Sequence, residues 1–340
     1  MGVTIKDVAR EAGVSFSTVS KVIHDSHEIS EPTAIKVREV MKRMDFTPNV
    51  RAASFKRRST RGIAFLYAMF EKGDAYINPH MYEFLNGVNS VLTRKGHTLT
   101  LAGVSYGEEA DDTVKAVMSA GGYDGCIVHG SAFSRSVGSM LSLNRFPHIA
   151  IGKPDFESEV CWMDTNNVLA GSIAARHLLE CGAQHIAFFG GSREDGISNS
   201  RLKGVEAALD EIGAAMRQSE IIYTDSTIED SYSAAQKMFA QKDPPNGIIC
   251  AGNTFAVGVM RAVQDAGLSL PEDVQLITFD DYPFSQAMNP PLTVVNIDFF
   301  DLGEHVASQL LKNIRNPALH VQSYITLPEL IVRGTTKSAK

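Results

Sequence analysis

The chain has few of the features that would place it outside ordinary globular proteins. Its 340 residues include only 4 Cys and 1 Trp, and the cysteines form no Cys-x-x-Cys pair, which argues against a disulfide framework. No apolar run approaches the roughly 18 residues needed to cross a bilayer, and no signal-peptide pattern opens the chain. We therefore expect a cytoplasmic protein with buried free thiols at Cys126, Cys161, Cys181 and Cys250.

The short motifs on which many enzymes depend are also missing. There is no GxxxxGK[ST], GxGxxG, HExxH or GxSxG sequence. His24 and His27 lack further ligands at metal-binding spacing, and Gly190-Gly191 is better interpreted as a strand-to-loop turn than as a phosphate loop. We expect no enzymatic activity, no cofactor and no metal.

The net charge of -7 is unevenly distributed. Residues 1–61 contain 12 Lys and Arg against 7 Asp and Glu, whereas the rest of the chain contains 20 against 32. A basic head on an acidic body directs polyanion binding to one end of a protein. A chance cluster explains a bias of this size about equally well, so the charge alone does not decide the function.

Residues 4–23 predict two short helices joined by a tight turn. Gly13 can adopt a positive φ and end the first helix, and Ser15 is a suitable N-cap for the second. A capping box is predicted for Thr4 with Asp7. A third helix, capped by Ser30, would complete a head over residues 1–47. The apolar positions lie on the faces that such helices bury: Ile5, Val8, Ala9, Ala12, Val19, Val22, Ile23, Val37, Val40, Met41 and Met44.

A turn this short is typical of a helix-turn-helix, whose second helix enters the DNA major groove. The outer face of the second helix is polar, and its hydroxyls and lysine suit base edges while Phe16 suits a thymine methyl group. The alternative is a generic three-helix bundle with a solvated face. We predict these DNA contacts from the head: Thr4, Ser15, Phe16, Ser17, Thr18, Ser20, Lys21 and His24.

The head resembles the DNA-binding domain of the lactose/galactose repressor family. The sequence TIKDVAREAGVSFSTVSKVI at residues 4–23 matches the family pattern nearly throughout, and the match continues at residues 30–31 and 46–49. The resemblance implies that Phe16, Ser17 and Lys21 are the main base-reading residues. His24 stands where the family often has Asn.

The resemblance further implies a hinge at residues 48–61 that orders into a short helix on DNA. Phe55 stands at the position of the Leu that wedges into a minor-groove base step, and Ala53 replaces a common Arg. Packing of Phe55 on the body is the alternative. The predicted hinge contacts to DNA are Asn49, Ser54, Phe55 and Lys56.

From residue 62 onward, short apolar segments alternate with helix-like segments. The strand candidates are apolar on both faces, as in a covered parallel sheet, and lie at 62–67, 97–102, 125–129, 148–151, 185–189, 247–250 and 274–279. Candidate helices at 81–95, 168–181 and 254–266 each end before a glycine. The pattern predicts an α/β protein with two doubly wound subdomains and a ligand site outside the carboxyl ends of the strands.

The body resembles the periplasmic-binding-protein-like effector domain of the same family, so the resemblance covers nearly the whole chain. It is carried by residues 162–166, 187–191, 201–204, 279–281, 291–293 and 330–334. It implies an effector-binding and dimerisation domain at 62–340. The N-subdomain would span about 62–158 and 294–325, and the C-subdomain about 159–293 and 326–340. The chain would cross between them near 156–160, 290–296 and 323–329.

The resemblance also implies residues of an effector site between the subdomains. Four are polar, namely Asp164, Arg201, Asn253 and Asp280, although Thr254 replaces the acidic partner that the family has after Asn253. Arg201 has an alternative interpretation as a helix ion pair, and Asn253 and Asp280 as turn formers. Tyr76, His80 and Trp162 would offer rings to a sugar face or pack as ordinary aromatic residues.

The resemblance implies a transcription regulator, most simply a repressor, that binds a pseudo-palindromic operator as a homodimer. A small-molecule effector, a sugar or glycoside, would control its affinity, and a nucleobase or phosphorylated sugar stays open. No leucine heptads follow residue 334, which favours a dimer over a tetramer. The alternative from another class is a solute-binding protein of a sugar transport system. The basic head and the missing signal peptide count against it.

Overall fold

The computed structural model describes residues 5–23, 29–44, 60–68, 79–104, 108–154, 156, 160–225, 227–317 and 323–338. The chain divides into two compact units, Met1–Ser59 and Thr60–Lys340. The described part of the first unit is helical, and the second unit contains two sheets.

The first unit contains three helices in its described part: α1 (Ile5–Ala12), α2 (Phe16–Ile23) and α3 (Glu31–Arg43). Gly13 ends α1 with a φ of +65°, and Ser15 caps α2 because its Oγ accepts a hydrogen bond from Thr18 N at 3.1 Å. Both features confirm the predicted turn. The three helices share one core of valine and alanine side chains: Val8, Ala9, Ala12, Val19, Val22, Val37 and Val40.

The start of α3 differs in one detail from the sequence prediction. Ser30 is the N-cap residue, but its side chain does not accept a hydrogen bond from a backbone amide. Its Oγ lies 2.9 Å from Thr33 Oγ1, so the two hydroxyls satisfy each other. A second hydroxyl three residues after the cap competes with the backbone for the serine side chain.

The second unit alternates strands and helices along its described part. Its strands are β1 (Gly62–Ala68), β2 (Thr98–Val104), β3 (Gly125–His129), β4 (His148–Ile151), β5 (Trp162–Thr165), β6 (Ile186–Gly190), β7 (Ile221–Tyr223), β8 (Gly247–Cys250), β9 (Gln275–Phe279), β10 (Thr293–Asn296), β11 (Tyr324–Thr326) and β12 (Glu329–Ile331). Its α-helices are α4 (Pro79–Arg94), α5 (Glu108–Ser119), α6 (Arg135–Leu143), α7 (Asn167–Glu180), α8 (Gly196–Asp210), α9 (Ile228–Phe239), α10 (Asn253–Asp265), α11 (Pro283–Ala287) and α12 (Phe299–Arg315).

The strands form two six-stranded sheets, each of which organises one half of the second unit. The first has the order β11-β5-β4-β3-β1-β2 and is parallel throughout. The second has the order β12-β10-β9-β8-β6-β7 and is parallel except for β12, which runs antiparallel to β10. Apolar side chains from α4 and α12 cover one face of the first sheet, and those from α5 and α6 cover the other. The predicted doubly wound α/β class is confirmed.

Two crossings between the halves differ from those expected from the sequence. Strand β5 pairs with β4 and β11 in the first sheet, so the chain leaves the first half after Thr165 rather than near 156–160. Strand β10 pairs with β9 in the second sheet, and α12 packs on the first. The return therefore lies between Asn296 and Phe299. The third crossing lies between β11 and β12, within the expected 323–329.

Each sheet has a point where the strand order reverses, between β1 and β3 in the first sheet and between β6 and β8 in the second. Loops diverge at such a point, and the crevice between them is where doubly wound sheets bind ligands. His80, near the start of α4, hydrogen bonds Tyr282, which follows β9. This contact brings the carboxyl end of the second sheet against the helix that follows β1 in the chain.

Three of the four cysteines follow the expectation from composition. Cys126, Cys181 and Cys250 are buried free thiols, whereas Cys161 is only half-buried. Among the described helices, none combines the length and apolar character needed to cross a bilayer.

Candidate functional site

Arg201 is buried at the reversal point of the second sheet. Its guanidinium donates from Nη1 to the carbonyl oxygen of Ala251, just after β8, at 2.6 Å, and from Nε to Asn167 Oδ1 at 3.1 Å. The guanidinium carbon also lies 4.1 Å from the centroid of the Phe279 ring. The side chain is only 6% exposed, so protein contacts rather than water hold it in place.

Asp280 lies beside Arg201, directly after β9. Its Oδ1 is 3.8 Å from Arg201 Nη2, which is close enough for charge pairing but too long for a hydrogen bond. This buried oxygen accepts no hydrogen bond from the described residues. A buried carboxylate oxygen without a donor is costly, and such groups in native structures call for a partner. Asp280 Oδ1 therefore has acceptor capacity that the described residues do not use.

Asn253 holds the backbone that carries Asp280. Its Nδ2 donates to the carbonyl oxygens of Phe279 at 2.7 Å and Asp280 at 2.9 Å, and its Oδ1 accepts from Ser285 Oγ at 3.2 Å. Asp280 has a φ of +69°, a conformation that costs free energy in a residue other than glycine. The Asn253 amide thus stabilises the strained turn that directs the Asp280 side chain.

His80 brings the first half to this group. Its ring stacks on Phe299 with centroids 4.6 Å apart, and its Nδ1 hydrogen bonds the Tyr282 hydroxyl. Burial lowers the pKa of His80, an effect that the charge of Asp280 opposes and that of Arg201 reinforces. Burial also raises the pKa of Tyr282, so a protonated phenol meets a neutral imidazole. His80, Arg201 and Asp280 consequently form one electrostatic group across the two halves.

His129, at the carboxyl end of β3, adds a second neutral imidazole on the first half. Its Nδ1 accepts from Ser131 N at 3.2 Å and lies 2.7 Å from Ser131 Oγ. Burial, with a smaller contribution from His80, lowers the pKa of His129 to about 4. His129 ends β3, one of the two strands between which the order of the first sheet reverses.

Trp162 and Asp164 lie on one face of β5, outside the contacts that join His80, Arg201 and Asp280. Asp164 Oδ2 accepts from Lys153 N at 2.9 Å, and its Oδ1 accepts from Thr165 N at 2.7 Å. The Lys153 ammonium lies 5.8 Å from the centroid of the Trp162 ring. These contacts fix the loop after β4 against β5.

A cleft of about 570 Å³ opens where the chain returns to the first half, beside rather than over Arg201 and Asp280. It is lined by Glu83, Asn86, Asp281, Asn296, Ile297, Asp298 and Phe300. Burial, together with the charges of Asp298 and Asp281, raises the pKa of Glu83. Asp281 is neutralised by Arg333, whose guanidinium donates to both carboxylate oxygens at 2.6 and 2.7 Å.

In the first unit, α2 presents a polar face to solvent. Ser15, Ser17 and Lys21 are exposed, Thr18 is half-exposed, and the Phe16 side chain is 48% exposed. Phe16 is a large apolar residue at the start of a short helix. Its exposed position does not serve the packing of the three helices. The arrangement fits a helix whose first turns contact another molecule.

Several predicted site residues lie outside the described part of the chain: Thr4, His24, Asn49, Ser54, Phe55, Lys56 and Tyr76. Ser20 belongs to α2, but its side chain is also outside it. The sequence reasoning missed Asn167 and Tyr282, which hydrogen bond Arg201 and His80, and it missed His129 at the carboxyl end of β3. Asn167 could have been found from the sequence. A helix start requires one Asn as its cap, and Asn166 is that cap for α7, so the second consecutive Asn is available for another contact.

Comparison with known proteins identifies both units. Residues 4–49 match the family described as bacterial regulatory proteins, lacI family, and residues 175–336 match a periplasmic binding protein-like domain. The HTH-type transcriptional repressor PurR of Erwinia tasmaniensis is 30% identical over 335 residues, which cover 97% of this chain and 96% of that protein.

Two solved structures share the fold over nearly the full length. The transcriptional regulator CelR in complex with cellobiose has a TM-score of 0.73 at 23% identity and covers 98% of this chain and 99% of its own. The lac repressor dimer bound to operator and the anti-inducer ONPF has a TM-score of 0.71 at 22% identity, with coverage of 99% and 100%.

A helix-turn-helix unit joined to a two-half α/β unit with a buried polar group at its reversal points defines a ligand-controlled DNA-binding regulator. The chain belongs to the LacI family of bacterial regulatory proteins, as the resemblance at residues 4–23 predicted. It is a DNA-binding transcriptional regulator with an effector-binding domain. The alternative of a transport solute-binding protein is not favoured, because a full-length relative is a repressor with the helix-turn-helix type of head.

Proposed function

We propose that this regulator is a cytoplasmic repressor without enzymatic activity that binds a pseudo-palindromic operator as a homodimer. Residues 1–47 would be the DNA-binding domain, residues 48–61 the hinge, and the remainder the effector-binding and dimerisation domain. A neutral sugar or glycoside between the two halves would control operator affinity. The lac repressor, which shares the fold, was solved as a dimer on its operator, and this supports the proposed assembly.

The buried Asp280 carboxylate beside Arg201 is the observation that carries the sugar proposal. A sugar hydroxyl can donate to Asp280 Oδ1, which lacks a donor among the described residues, and other hydroxyls can accept from the remaining N–H groups of Arg201. The two charges lie 3.8 Å apart and offset each other, which favours a neutral ligand over a phosphate. CelR was solved with cellobiose, so this fold accommodates a sugar.

The remaining residues of the proposed site divide into ligand contacts and supports. His80 would contact the ligand from the first half, with Trp162, Asp164 and Tyr76 as further contacts that close over it. Asn253 would act through the backbone, because both of its amide hydrogens and its oxygen are engaged. Asn167 would orient Arg201 in the same way.

A thermal-shift panel of neutral mono- and disaccharides, sugar phosphates and nucleobases tests the effector class. A sugar at about 100 times its dissociation constant should stabilise the second unit by about 2.7 kcal/mol. Asp280→Asn keeps the side-chain shape and tolerates positive φ, yet it should weaken that sugar by about 10- to 100-fold, because a hydrogen bond to a charged group is lost. The surface substitution Asp265→Asn is the matched control. A response confined to nucleobases or sugar phosphates would refute the sugar class, and an unchanged response in Asp280→Asn would refute the site.

We propose that the exposed face of α2 reads the bases. Phe16, Ser17 and Lys21 would be the main base contacts, with Ser15, Thr18 and Ser20 contacting backbone or bases. Thr4, His24 and the hinge residues Asn49, Ser54, Phe55 and Lys56 would add further contacts. The exposure of Phe16 and Lys21 on the second helix of a helix-turn-helix supports this assignment.

Lys21→Ala should weaken specific binding by about 10- to 100-fold, the value of one good base contact. The probe is a labelled duplex that carries the site selected from random-sequence DNA by the wild-type protein. Fluorescence anisotropy at fixed salt gives the affinity, and a second selection should show relaxed preference at one position in each half-site. Lys203→Ala removes the same charge from an exposed position of α8 and should leave binding unchanged. Equal losses in the two variants would show that Lys21 acts through charge alone.

A further inference from the structure

Residues 60 and 61, which open the second unit, are anchored by one carboxylate. Asp124 Oδ1 accepts from Thr60 N at 3.0 Å and from Thr60 Oγ1 at 2.9 Å, and Asp124 Oδ2 accepts from Arg61 N at 2.9 Å. The backbone adds two more bonds, because Thr98 N donates to Arg61 O and Asp124 N donates to Gly62 O, each at 2.8 Å. A carboxylate that accepts three hydrogen bonds holds its donors in a fixed geometry.

The backbone conformation of these residues is also tightly constrained. Arg61 has a φ of +58°, a region that residues other than glycine rarely occupy, so the surrounding contacts must impose it. A Cβ on Gly62 would lie 2.1 Å from Gly122 O, so the chain enters the sheet through a gap that no side chain fits. Both features fix the direction of the backbone rather than add to a core.

Strand β1 does not need these contacts to keep its register. Its ladder begins at Gly62 opposite Thr98 and continues along both neighbours, β2 and β3. The Asp124 carboxylate acts on Thr60 and Arg61, before that ladder starts. Its effect therefore falls on the chain that connects the two units.

We propose that Asp124 is a positioning residue for operator binding. It lies at the amino edge of the first sheet, opposite the carboxyl edge from which His80 contributes to the proposed effector site. By fixing residues 60–61 it sets the point and direction at which the connecting chain meets that body. The inference rests on the proposed reading of two half-sites by a dimer, which requires both heads at a set spacing. Non-specific binding requires only charge.

Operator binding by Asp124→Ala tests this role. The labelled operator selected by the wild-type protein should bind about tenfold more weakly or worse, because a misplaced head loses at least one base contact. Affinity for poly(dI-dC) should stay within about twofold, since the charges of the head are unchanged. Asp112→Ala, which removes an exposed carboxylate from α5, is the control for net charge.

Thr60→Val gives a second, milder variant and a double-mutant cycle. It removes one of the three donors, so its loss of operator affinity should be smaller than that of Asp124→Ala and should vanish when Asp124 is already Ala. Asp124→Asn keeps one acceptor oxygen, so its loss of operator affinity should lie between those of Thr60→Val and Asp124→Ala. This variant keeps the test decisive if Asp124→Ala does not fold. Operator affinity equal to that of Asp112→Ala, or an equal loss on both DNAs, would overturn the proposal. Failure of the wild-type protein to select any two-half-site operator would instead count against the proposed function.

Discussion

Arg201→Ala should lower the free energy of unfolding of the second unit by about 3–5 kcal/mol, the cost of leaving a buried charge without its partner. The substitution leaves the Asp280 carboxylate, 9% exposed, without the cation 3.8 Å away. It also removes the donors to Asn167 Oδ1 and to the carbonyl oxygen of Ala251. Urea denaturation at neutral pH measures the loss, and any sugar that stabilises the wild-type protein should no longer do so.

Arg176→Ala is the matched control, because it removes an arginine that bridges the same two helices at the surface. Arg176, on α7, donates from Nη2 to Glu211 Oε1 at 2.7 Å in an exposed pair just after α8. Exposed pairs contribute little, so the unfolding midpoint should barely move. Arg201→Ala combined with Asp280→Ala should be less harmful than the sum of the two, since the unpaired charge disappears. A midpoint for Arg201→Ala equal to that of the control would show that the pair is not a stabilising contact.

The contacts of Arg201 combine the two interpretations that the sequence allowed, a ligand-binding group and a helix ion pair. Two of its donors are committed to the protein, while its charge pairs with an aspartate that lacks a hydrogen-bond donor among the described residues. A loss of ligand response in Arg201→Ala therefore has to be compared with the response of Asp280→Asn. Only Asp280→Asn leaves the buried pair sterically intact.

Local features of the sequence were sufficient for most of the secondary structure. The predicted strands at 125–129, 148–151 and 247–250 have the bounds of β3, β4 and β8, because each is a short apolar run between polar or glycine residues. Gly96, Gly182 and Gly267 follow the predicted helices with φ values of +70°, +85° and +69°. Only glycine takes that conformation at little cost, so these helix ends could be read directly from the sequence.

Contacts between distant residues were not predictable in the same way. Strand β5 is only four residues long, and nothing local in Trp162–Thr165 states that its partners are β4 and β11 rather than a strand of the second sheet. The pairing of His80 with Tyr282 spans 202 positions. His129 looked like the end of a strand, and its low pKa arises from burial that only the folded chain creates.

Gly204→Ala should destabilise the second unit by at least about 3 kcal/mol, because it overpacks a contact between helix backbones that cannot yield. A Cβ at Gly204 of α8 would lie 1.9 Å from Val168 O of α7, and a Cβ at Gly171 of α7 would lie equally close to Arg201 O. The two helices therefore touch at their glycines. Urea denaturation measures the loss of stability.

The same glycine contact connects the fold to the site, which allows the two effects to be separated. Close approach of α7 and α8 brings Asn167 within 3.1 Å of Arg201, so Gly204→Ala should weaken sugar binding even at temperatures where the protein stays folded. Gly303→Ala creates a comparable clash in the first half, 2.3 Å from Phe84 O, and should lower stability while the Arg201 contacts persist. Gly196→Ala, in α8 but with no atom within 4 Å, should change stability by less than about 1 kcal/mol. If Gly204→Ala and Gly303→Ala reduced sugar affinity equally, the α7–α8 contact would have no particular role in holding the site.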